Sequence, residues 1–213
     1  MTTIPEGANL PRLITLVQAD PRANYELWSW VRLLPGTEMP ATVNPATGSP
    51  VVPVDSEALL ATPQQVIERY ADVINDEESE HAASFADDEL RDLFARELAS
   101  LSDGAEEAGT VEQAVTVAEH GTYSLGTNDG GAIVVGAIER DVTFTRTIEG
   151  STLQVGENIA LGGATEVEGS HTATYLVTLA FHVPAAGSDA QIRLLGTERI
   201  LVAVARDDSV SPD

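Results

Sequence analysis

The sequence predicts an α+β fold, in which N-terminal helices pack on a curved, cone-like antiparallel sheet and an extra strand pair precedes the helices. Three observations predict it. Helical periodicity is confined to residues 62–101, β-type patterns fill residues 110–205, and two more strand patterns precede a proline-rich connector. Helices followed by a run of strands are typical of α+β domains, whereas α/β domains alternate the two.

A strand pair is the first predicted element. Leu13–Val17 and Tyr25–Leu34 are rich in β-branched and aromatic residues, and an Asp-Pro turn signal lies between them. Trp28 and Trp30 are two residues apart, so the alternation of a strand places both rings on one face. We interpret that face as buried against the neighbouring strand. An aromatic platform for a ligand is the alternative.

A proline-rich connector, Pro35–Pro53, follows the strand pair. Its five prolines are typical of an extended, semi-rigid segment without helix or ladder. We therefore divide the chain into residues 1–50, the strand pair with its connector, and residues 51–213, the α+β domain. Because two strands alone do not form a stable unit, the first part either packs on the second or is the tail of a domain truncated upstream.

The helices are predicted from capping residues and apolar stripes. Residues 62–65 (Thr-Pro-Gln-Gln) supply an N-cap hydroxyl, a proline at the first helical position and a glutamine three residues after the cap. An apolar stripe over Val66–Ile74 continues this helix to near residue 75. A short helical stretch around Ser79–Phe85 and a helix over Asp87–Leu101 follow, the latter ended by residues 102–104 (Ser-Asp-Gly).

The last part of the chain is predicted to form strands joined by tight turns. Asn128–Gly131 carries residue types that tolerate a positive φ, and it marks a hairpin. Gly162–Gly163 and Pro184–Ser188 mark two more turns. The predicted strands cover residues 111–119, 132–147, 152–155, 172–183 and 191–205.

Charge argues against two classes of function. The chain has 34 Asp plus Glu against 11 basic residues, all arginine, for a formal net charge of −23. A surface this acidic repels phosphate backbones and anionic lipid headgroups. We therefore predict neither nucleic-acid binding nor membrane binding through a basic patch. The absence of lysine fits a GC-rich genome or adaptation to high salt.

Cysteine content and targeting signals bear on chemistry and location. The chain has no cysteine, and hence no disulfide, thiolate nucleophile or Cys metal site. No apolar run reaches the ~18–20 residues of a membrane span, so we predict no direct membrane insertion of this chain. Residues 1–6 lack the features of a signal peptide, so an exported protein would carry its signal outside this chain.

The histidines do not predict a metal site. His81, His120, His171 and His182 include no pair at the spacing of a zinc motif. His171 and His182 flank one predicted strand eleven residues apart, which places them on opposite faces. We expect all four at the surface or in turns, and we predict neither a metal site nor a cofactor.

An acidic run, Asp76–Glu80 followed by Asp87–Glu89, is the one dense cluster of potential ligands in the sequence. Carboxylates suit calcium, but this run lacks the alternate spacing and the glycine of an EF-hand loop. We therefore interpret it as a solvated helix face.

Catalytic signatures are also missing. Ser124 and Ser170 lack the nucleophile-elbow pattern, and no glycine-rich stretch forms a dinucleotide or phosphate loop. Arg69, Tyr70 and Asp72 on the first helix could line the mouth of a pocket and transfer protons there. Tyr70 lies on the apolar stripe, however, which favours a position in the core. We therefore predict no catalytic residue.

Parts of the chain also resemble known families. Three pieces are similar to an uncharacterised domain of actinobacterial cell-envelope lipoproteins: Gln18–Gly36 with Met39-Pro40, Thr62-Pro63 leading into Tyr70–Val73, and Asp129–Gly136. The order of elements over Ala61–Arg206 resembles the nuclear transport factor 2-like, cystatin-like α+β superfamily, without a shared motif. The first resemblance implies an envelope location and a lipid-modified cysteine in an N-terminal segment outside this chain. It implies no activity.

We therefore expect a non-enzymatic, extracytoplasmic binding or scaffold module of a bacterial envelope lipoprotein, with an unknown protein or small-molecule partner. The alternative is a small-molecule-binding or isomerase-like enzyme that uses the cone-shaped pocket. An open pocket holding an Asp or His of shifted pKa would favour the enzyme, whereas a filled interior would favour the module.

Overall fold

A largely antiparallel β-sheet and two α-helices form the fold. The computed structural model describes residues 2–3, 11–44, 46–156 and 165–213. In these ranges the helices are α1 (Pro63–Asn75) and α2 (Glu89–Ala105), with short 3₁₀ turns at Ala82–Ser84 and Asp208–Val210. The strands are β1 (Thr2–Thr3), β2 (Arg12–Val17), β3 (Glu26–Leu33), β4 (Gly109–Val117), β5 (Tyr123–Gly126), β6 (Ala132–Arg146), β7 (Leu153–Gln154), β8 (Glu166–Val167), β9 (Ser170–Val183) and β10 (Arg193–Asp207). The predicted α+β class is confirmed.

Eight of these strands form one sheet, in the order β1-β2-β3-β10-β9-β6-β4, with β5 also paired to β6. The predicted strand pair, β2 and β3, belongs to this sheet because β3 pairs with β10 at Leu33 and Gly196. A Cβ on Gly196 would lie 2.5 Å from the carbonyl oxygen of Arg32, so only glycine permits this approach. The division of the chain near residue 50 stays a prediction.

Helix α1 has the local structure that its sequence predicts. The Thr62 hydroxyl accepts a hydrogen bond from the Gln65 N–H at 3.2 Å, and the Gln65 side chain accepts from the Thr62 N–H at 3.3 Å. This reciprocal capping box satisfies two N–H groups that a helix start otherwise leaves unpaired. The helix ends at Asn75, whose side chain bonds both backbone groups of Val115 on β4. The apolar stripe faces the sheet and is buried.

Helix α2 is longer than predicted. Asp88 caps it, and it runs through Gly104 to Ala105, so the predicted stop at residues 102–104 is wrong. Gly104 does not adopt a positive φ, and Ala105 is buried in a cluster with Val111 and Phe144. Burial of the last turn therefore overrides the local stop signal. The stretch predicted around 79–85 forms only the single 3₁₀ turn at Ala82–Ser84.

The two tryptophans do not share a face, which corrects the prediction from their spacing. The register between β2 and β3 shifts at Trp28, so this residue forms a bulge that interrupts the alternation. The Trp28 ring packs against a cluster that contains Leu13 and Val31. Trp30, next to Val31 in regular pairing, points to the other face, where the Arg12 guanidinium lies 4.1 Å from its ring centroid.

The connector is less independent than its prolines suggest. It contains no helix in its described part, as expected, but Thr42 forms an isolated bridge with Thr127 and Val51 forms one with Leu125. Three short strands, β1, β5 and β8, were not predicted from the sequence. The predicted hairpin at residues 128–131 joins β5 to β6, and the turn at 184–188 follows β9. The predicted Gly162–Gly163 turn lies outside the described residues.

The interior between the helices and the sheet is filled. Tyr70 of α1 is fully buried, and its ring packs at 4.8 Å from Phe181 of β9 and 5.4 Å from Phe85. Alternate residues of β6, such as Val134 and Ile138, complete this cluster. The residues between them face the opposite side of the sheet, where a second and smaller apolar cluster lies.

Candidate functional site

A groove of about 640 Å³ opens on the side of the sheet away from the helices. Its position follows from β6, because Ile133 and Val135 line the groove while the alternating Val134 belongs to the helix-side core. We call it the seam groove, since it lies between β2 and the segment that precedes α1. The described residues that line it are Leu13–Gln18, Val51–Val54, Thr122–Leu125, Ile133 and Val135.

Three continuous segments form the walls of the seam groove, and a strand face forms its floor. Residues 13–18, 51–54 and 122–125 each contribute an unbroken run of lining residues. Strand β6 contributes only Ile133 and Val135, which point to the same side of the sheet. The groove therefore follows these three segments along their length.

None of the 16 described lining residues is charged, in a chain with 34 acidic and 11 basic residues. Several apolar walls nevertheless face solvent: Val51 is 77% exposed, Leu16 and Val54 are each 45% exposed, and Leu125 is 38% exposed. A rim of exposed aliphatic side chains around an uncharged concavity is typical of a binding surface rather than of an ordinary acidic one.

Backbone hydrogen bonds hold the connector wall in place. The Val52 N–H donates to the Ser124 carbonyl at 3.4 Å, the Ser124 hydroxyl donates to the Val52 carbonyl at 2.5 Å, and the Gly126 N–H donates to the Pro50 carbonyl at 2.8 Å. The Ser124 hydroxyl therefore has a structural role and is not placed as a nucleophile. The seam groove is built on paired backbone, not on a free loop.

Trp28 ties the strand pair to β5. Its indole N–H donates to the His120 carbonyl at 2.8 Å, and its ring meets the Tyr123 ring edge-on with centroids 5.0 Å apart. Both contacts join residues almost a hundred positions apart. The bulge in β3 that moves Trp28 to this face therefore also helps to fix the distance between the groove walls.

On the helix side, Tyr70 and Asp88 form a buried contact. The Tyr70 hydroxyl donates to Asp88 Oδ1 at 2.9 Å, and burial, together with this carboxylate, raises the pKa of Tyr70 well above its ordinary value. The same oxygen accepts from the Leu90 and Arg91 N–H groups, and Arg91 Nε donates to Oδ2 at 2.7 Å. Four donors occupy this carboxylate, which makes it a helix cap rather than a free base.

A second groove of about 640 Å³ lies beside this contact, between α1, α2 and β4. Asp88 and Arg91 line it, along with further acidic residues. The other candidates of α1 do not converge there, since Asp72 accepts from the Ser79 hydroxyl and Arg69 donates to Gln65 Oε1 at 3.1 Å. The structure therefore places Arg69, Tyr70 and Asp72 in three separate contacts.

An ion-pair cluster that was not predicted from the sequence joins α2 to the sheet. Arg140 of β6 is 1% exposed, and its guanidinium lies 4.1 Å from the Phe94 ring centroid. Arg140 and Arg199 both donate to Glu97 Oε2 at 2.7 Å. Burial raises the pKa of Glu97, but the hydrogen bonds and charges of the two arginines outweigh it and lower that pKa overall. Burial lowers the pKa of Arg140, and the hydrogen bond and charge of Glu97, which raise this pKa, do not fully offset the effect.

The histidines differ from their predicted surface positions. His171 and His182 are 1% and 7% exposed, so the expectation of a surface or turn position is wrong for both, because β9 lies in the middle of the sheet. The uninterrupted pairing of β9 with β6 puts them on opposite faces, as predicted. His182 Nε2 lies 3.1 Å from Asp129 Oδ2. His120 is exposed and His81 half-buried.

The acidic run is solvent-exposed at residues 76–78 and at Glu80. Among the residues that the structure describes, no three His, Asp or Glu side chains are grouped so as to hold a metal ion. Over the same ranges, none of the helices combines the length and apolarity needed to cross a bilayer. The predictions that the chain needs no metal and no cofactor stay predictions.

The fold and the seam groove together define an α+β domain with an uncharged groove. Residues 2–206 match a domain of unknown function, DUF8094, and the chain belongs to that family. No curated protein and no solved structure matches the chain. The resemblances to envelope lipoproteins and to the nuclear transport factor 2-like superfamily stay predictions.

Proposed function

We propose that this chain is a non-enzymatic binding or scaffold module of the bacterial cell envelope, and that the seam groove receives its ligand. One observation carries the proposal: 16 lining residues without a charge surround a concavity of about 640 Å³ in a protein of net charge −23. That volume falls in the range of about 300–1,000 Å³ that ligand sites occupy. Retaining exposed aliphatic side chains there is unfavourable in water unless a ligand covers them.

The composition of the lining supports binding rather than catalysis. Tyr123 carries the one titratable side chain among the described lining residues. General acid–base catalysis requires a titratable group held near the reacting atoms. On the helix side, the Asp88 carboxylate is fully occupied by its donors. The alternative, a small-molecule-binding or isomerase-like enzyme with a cone-shaped pocket, stays a prediction.

Location and the finer fold assignment belong to the same proposal. The similarity of Gln18–Gly36 to envelope lipoproteins supports an extracytoplasmic site, with anchoring through a lipidated segment outside this chain. A cone-like sheet of the nuclear transport factor 2-like kind is supported by the contacts across it. The Trp28 ring of β3 contacts the Tyr123 ring of β5, with centroids 5.0 Å apart, although β10, β9 and β6 separate these two strands in the sheet. Such contacts require a strongly curved sheet.

The test uses Nile red, a neutral dye that fluoresces in apolar sites. Leu16→Glu introduces a charge into the wall of the groove, and Ile200→Glu introduces the same charge at an exposed aliphatic residue of β10 outside it. We expect Leu16→Glu to weaken dye binding about tenfold, because burying a carboxylate against apolar walls is unfavourable. The Ile200→Glu control should bind like the parent protein. Equal loss in both variants, or none in Leu16→Glu, would contradict the proposed site.

A further inference from the structure

We infer that the groove between α1, α2 and β4 is a docking site for an amphipathic helix of a partner protein, which lies antiparallel to α2 and carries basic residues in its last turn. We call this groove the helix-side groove. The inference goes beyond the proposed function, because it assigns a second site that does not involve the seam groove. Three features carry it: an exposed face of α2, an apolar floor, and unpaired carboxylates at one end.

The first feature is the face that α2 presents to the helix-side groove. Lining residues recur along it every three or four positions: Arg91, Phe94, Ala95, Leu98, Ala99 and Ser102. This spacing is one face of a helix, so the groove follows α2 for about 17 Å, or about three turns at ~1.5 Å per residue. Ala95 and Ala99, at its centre, are exposed and small, which lets a second helix approach closely.

The second feature is the apolar floor of the helix-side groove. Val73, Ile74 and Phe94 reach the floor from the core, and the half-buried Leu98 lies beside them. The amide of Gln113, on the β4 wall, is already engaged, because its nitrogen donates to the Ile74 carbonyl at 3.3 Å. A ligand of this groove therefore gains mainly by covering apolar carbon, as the apolar stripe of an amphipathic helix does.

The third feature is the charge at the end of the groove where α2 begins. Four acidic residues line the groove, Glu77, Asp87, Asp88 and Asp92, against one basic residue, Arg91. Arg91 is already paired, since its Nε donates to Asp88 Oδ2 at 2.7 Å. The other three carboxylates are exposed, and their side chains form no hydrogen bond or ion pair within the described part of the chain.

The neighbouring arginines do not line the helix-side groove. Arg96 is exposed on another face of α2, and Arg69 donates to a side chain of its own helix one turn before the groove. Arg140 and Arg199 both bond Glu97. The acidic end is therefore complementary to Lys or Arg of a ligand. A helix antiparallel to α2 brings its last turn to this end, and basic residues are favourable in the last turn of a helix.

The experiment measures the binding of a designed peptide to the full chain by fluorescence anisotropy. The probe is an alanine-based helix with one stripe of leucines and with arginines in its last turn, labelled with a neutral fluorophore. Ala99→Arg places a large cation inside the groove, and Ser100→Arg places the same side chain at the next position of α2, exposed but outside the groove. We expect Ala99→Arg to weaken binding at least about tenfold and Ser100→Arg to bind like the parent protein.

Two matched peptides test the helix and its charge. A central proline breaks the helix without changing the charge, and this peptide should bind at least about tenfold more weakly than the probe. A peptide with glutamates in place of the arginines should also bind more weakly, and the difference should shrink as added salt screens the charges. Equal urea midpoints of Ala99→Arg and Ser100→Arg serve as the control that both variants are folded.

Each other outcome would overturn the inference. Equal loss of binding in Ala99→Arg and Ser100→Arg, or none in either, would show only a general attraction of a cation to a chain of net charge −23. Equal binding of the probe and the proline peptide would exclude a docked helix. Loss of probe binding in Leu16→Glu would move the peptide to the seam groove. Concentration-dependent dimerisation abolished by Ala99→Arg would identify a second copy of this chain as the occupant.

Discussion

The buried ion-pair cluster between α2 and the sheet should be the most sensitive polar contact of the fold. Glu97 is the one acidic group that bonds both Arg140 and Arg199, and both arginines donate to the same oxygen. Glu97→Gln keeps the shape of the side chain and removes its charge. It leaves the Arg140 guanidinium, 1% exposed, without a counter-charge.

The size of the loss follows from burial. Removing one partner of a fully buried ion pair costs about 3–5 kcal/mol. Because 29% of the Glu97 side chain is exposed and glutamine keeps one acceptor oxygen, we expect about 2 kcal/mol. If the free energy of unfolding falls by about 3 kcal/mol per molar urea (the m-value), the urea concentration at the unfolding midpoint should decrease by about 0.7 M. Urea is the suitable denaturant because it carries no charge and does not screen the pair.

The control for this experiment removes the same charge elsewhere on the helix. Glu106 is exposed at the C-terminal end of α2, and Glu106→Gln should not lower the midpoint. In the Glu97→Gln background, Arg140→Met should restore about half of the loss, since it removes the uncompensated charge and leaves an adaptable apolar side chain. Equal urea midpoints for Glu97→Gln and Glu106→Gln would show that the charge of Glu97 contributes no stability to the fold.

Two more predictions concern polar groups of the helix side. Tyr70→Phe removes the hydrogen bond to Asp88 and should lower the free energy of unfolding by about 1 kcal/mol in urea titrations; an unchanged midpoint would show that this contact contributes nothing. The pKa of Glu97 is lower in the folded state than its unfolded value of about 4.3. Its contribution is therefore complete above that value and is lost as pH falls through the folded pKa. As the pH falls below about 5, the free energy of unfolding of the parent protein should decrease faster than that of Glu97→Gln. If the two free energies change in parallel with pH, the pKa of Glu97 is not lowered in the folded state.

The elements that the sequence predicts well are those with local signals. The capping box at Thr62 and the apolar stripe after it lie within one short segment, and α1 begins and ends where they indicate. Strands β6, β9 and β10 lie within two residues of their predicted bounds, because each is a long run of strand-forming residues between turn signals. The stop of α2 was predicted wrongly because the burial of Ala105 depends on residues beyond the helix.

The candidate site could not be predicted in the same way. The seam groove joins residues near 15, 52, 124 and 134, and its lining has the same residue types as the core strands. No local pattern distinguishes a valine of its wall from a valine of the interior. Arg140 did offer a signal, because it alternates with Ile138 and Val142 and so falls on their buried face. Its partner Glu97, however, is 43 residues away.

The α+β class, the order of the main elements and the acidic character of the chain can be predicted from the amino-acid sequence alone. These properties depend on composition and on periodicity within single segments, which folding does not alter. Which apolar side chains are buried cannot be predicted in this way: Val135 is 6% exposed on the groove floor, whereas Val51 is 77% exposed on its wall. Burial depends on which distant segments meet, and the pairing of the strands and the bulge at Trp28 determine which segments do.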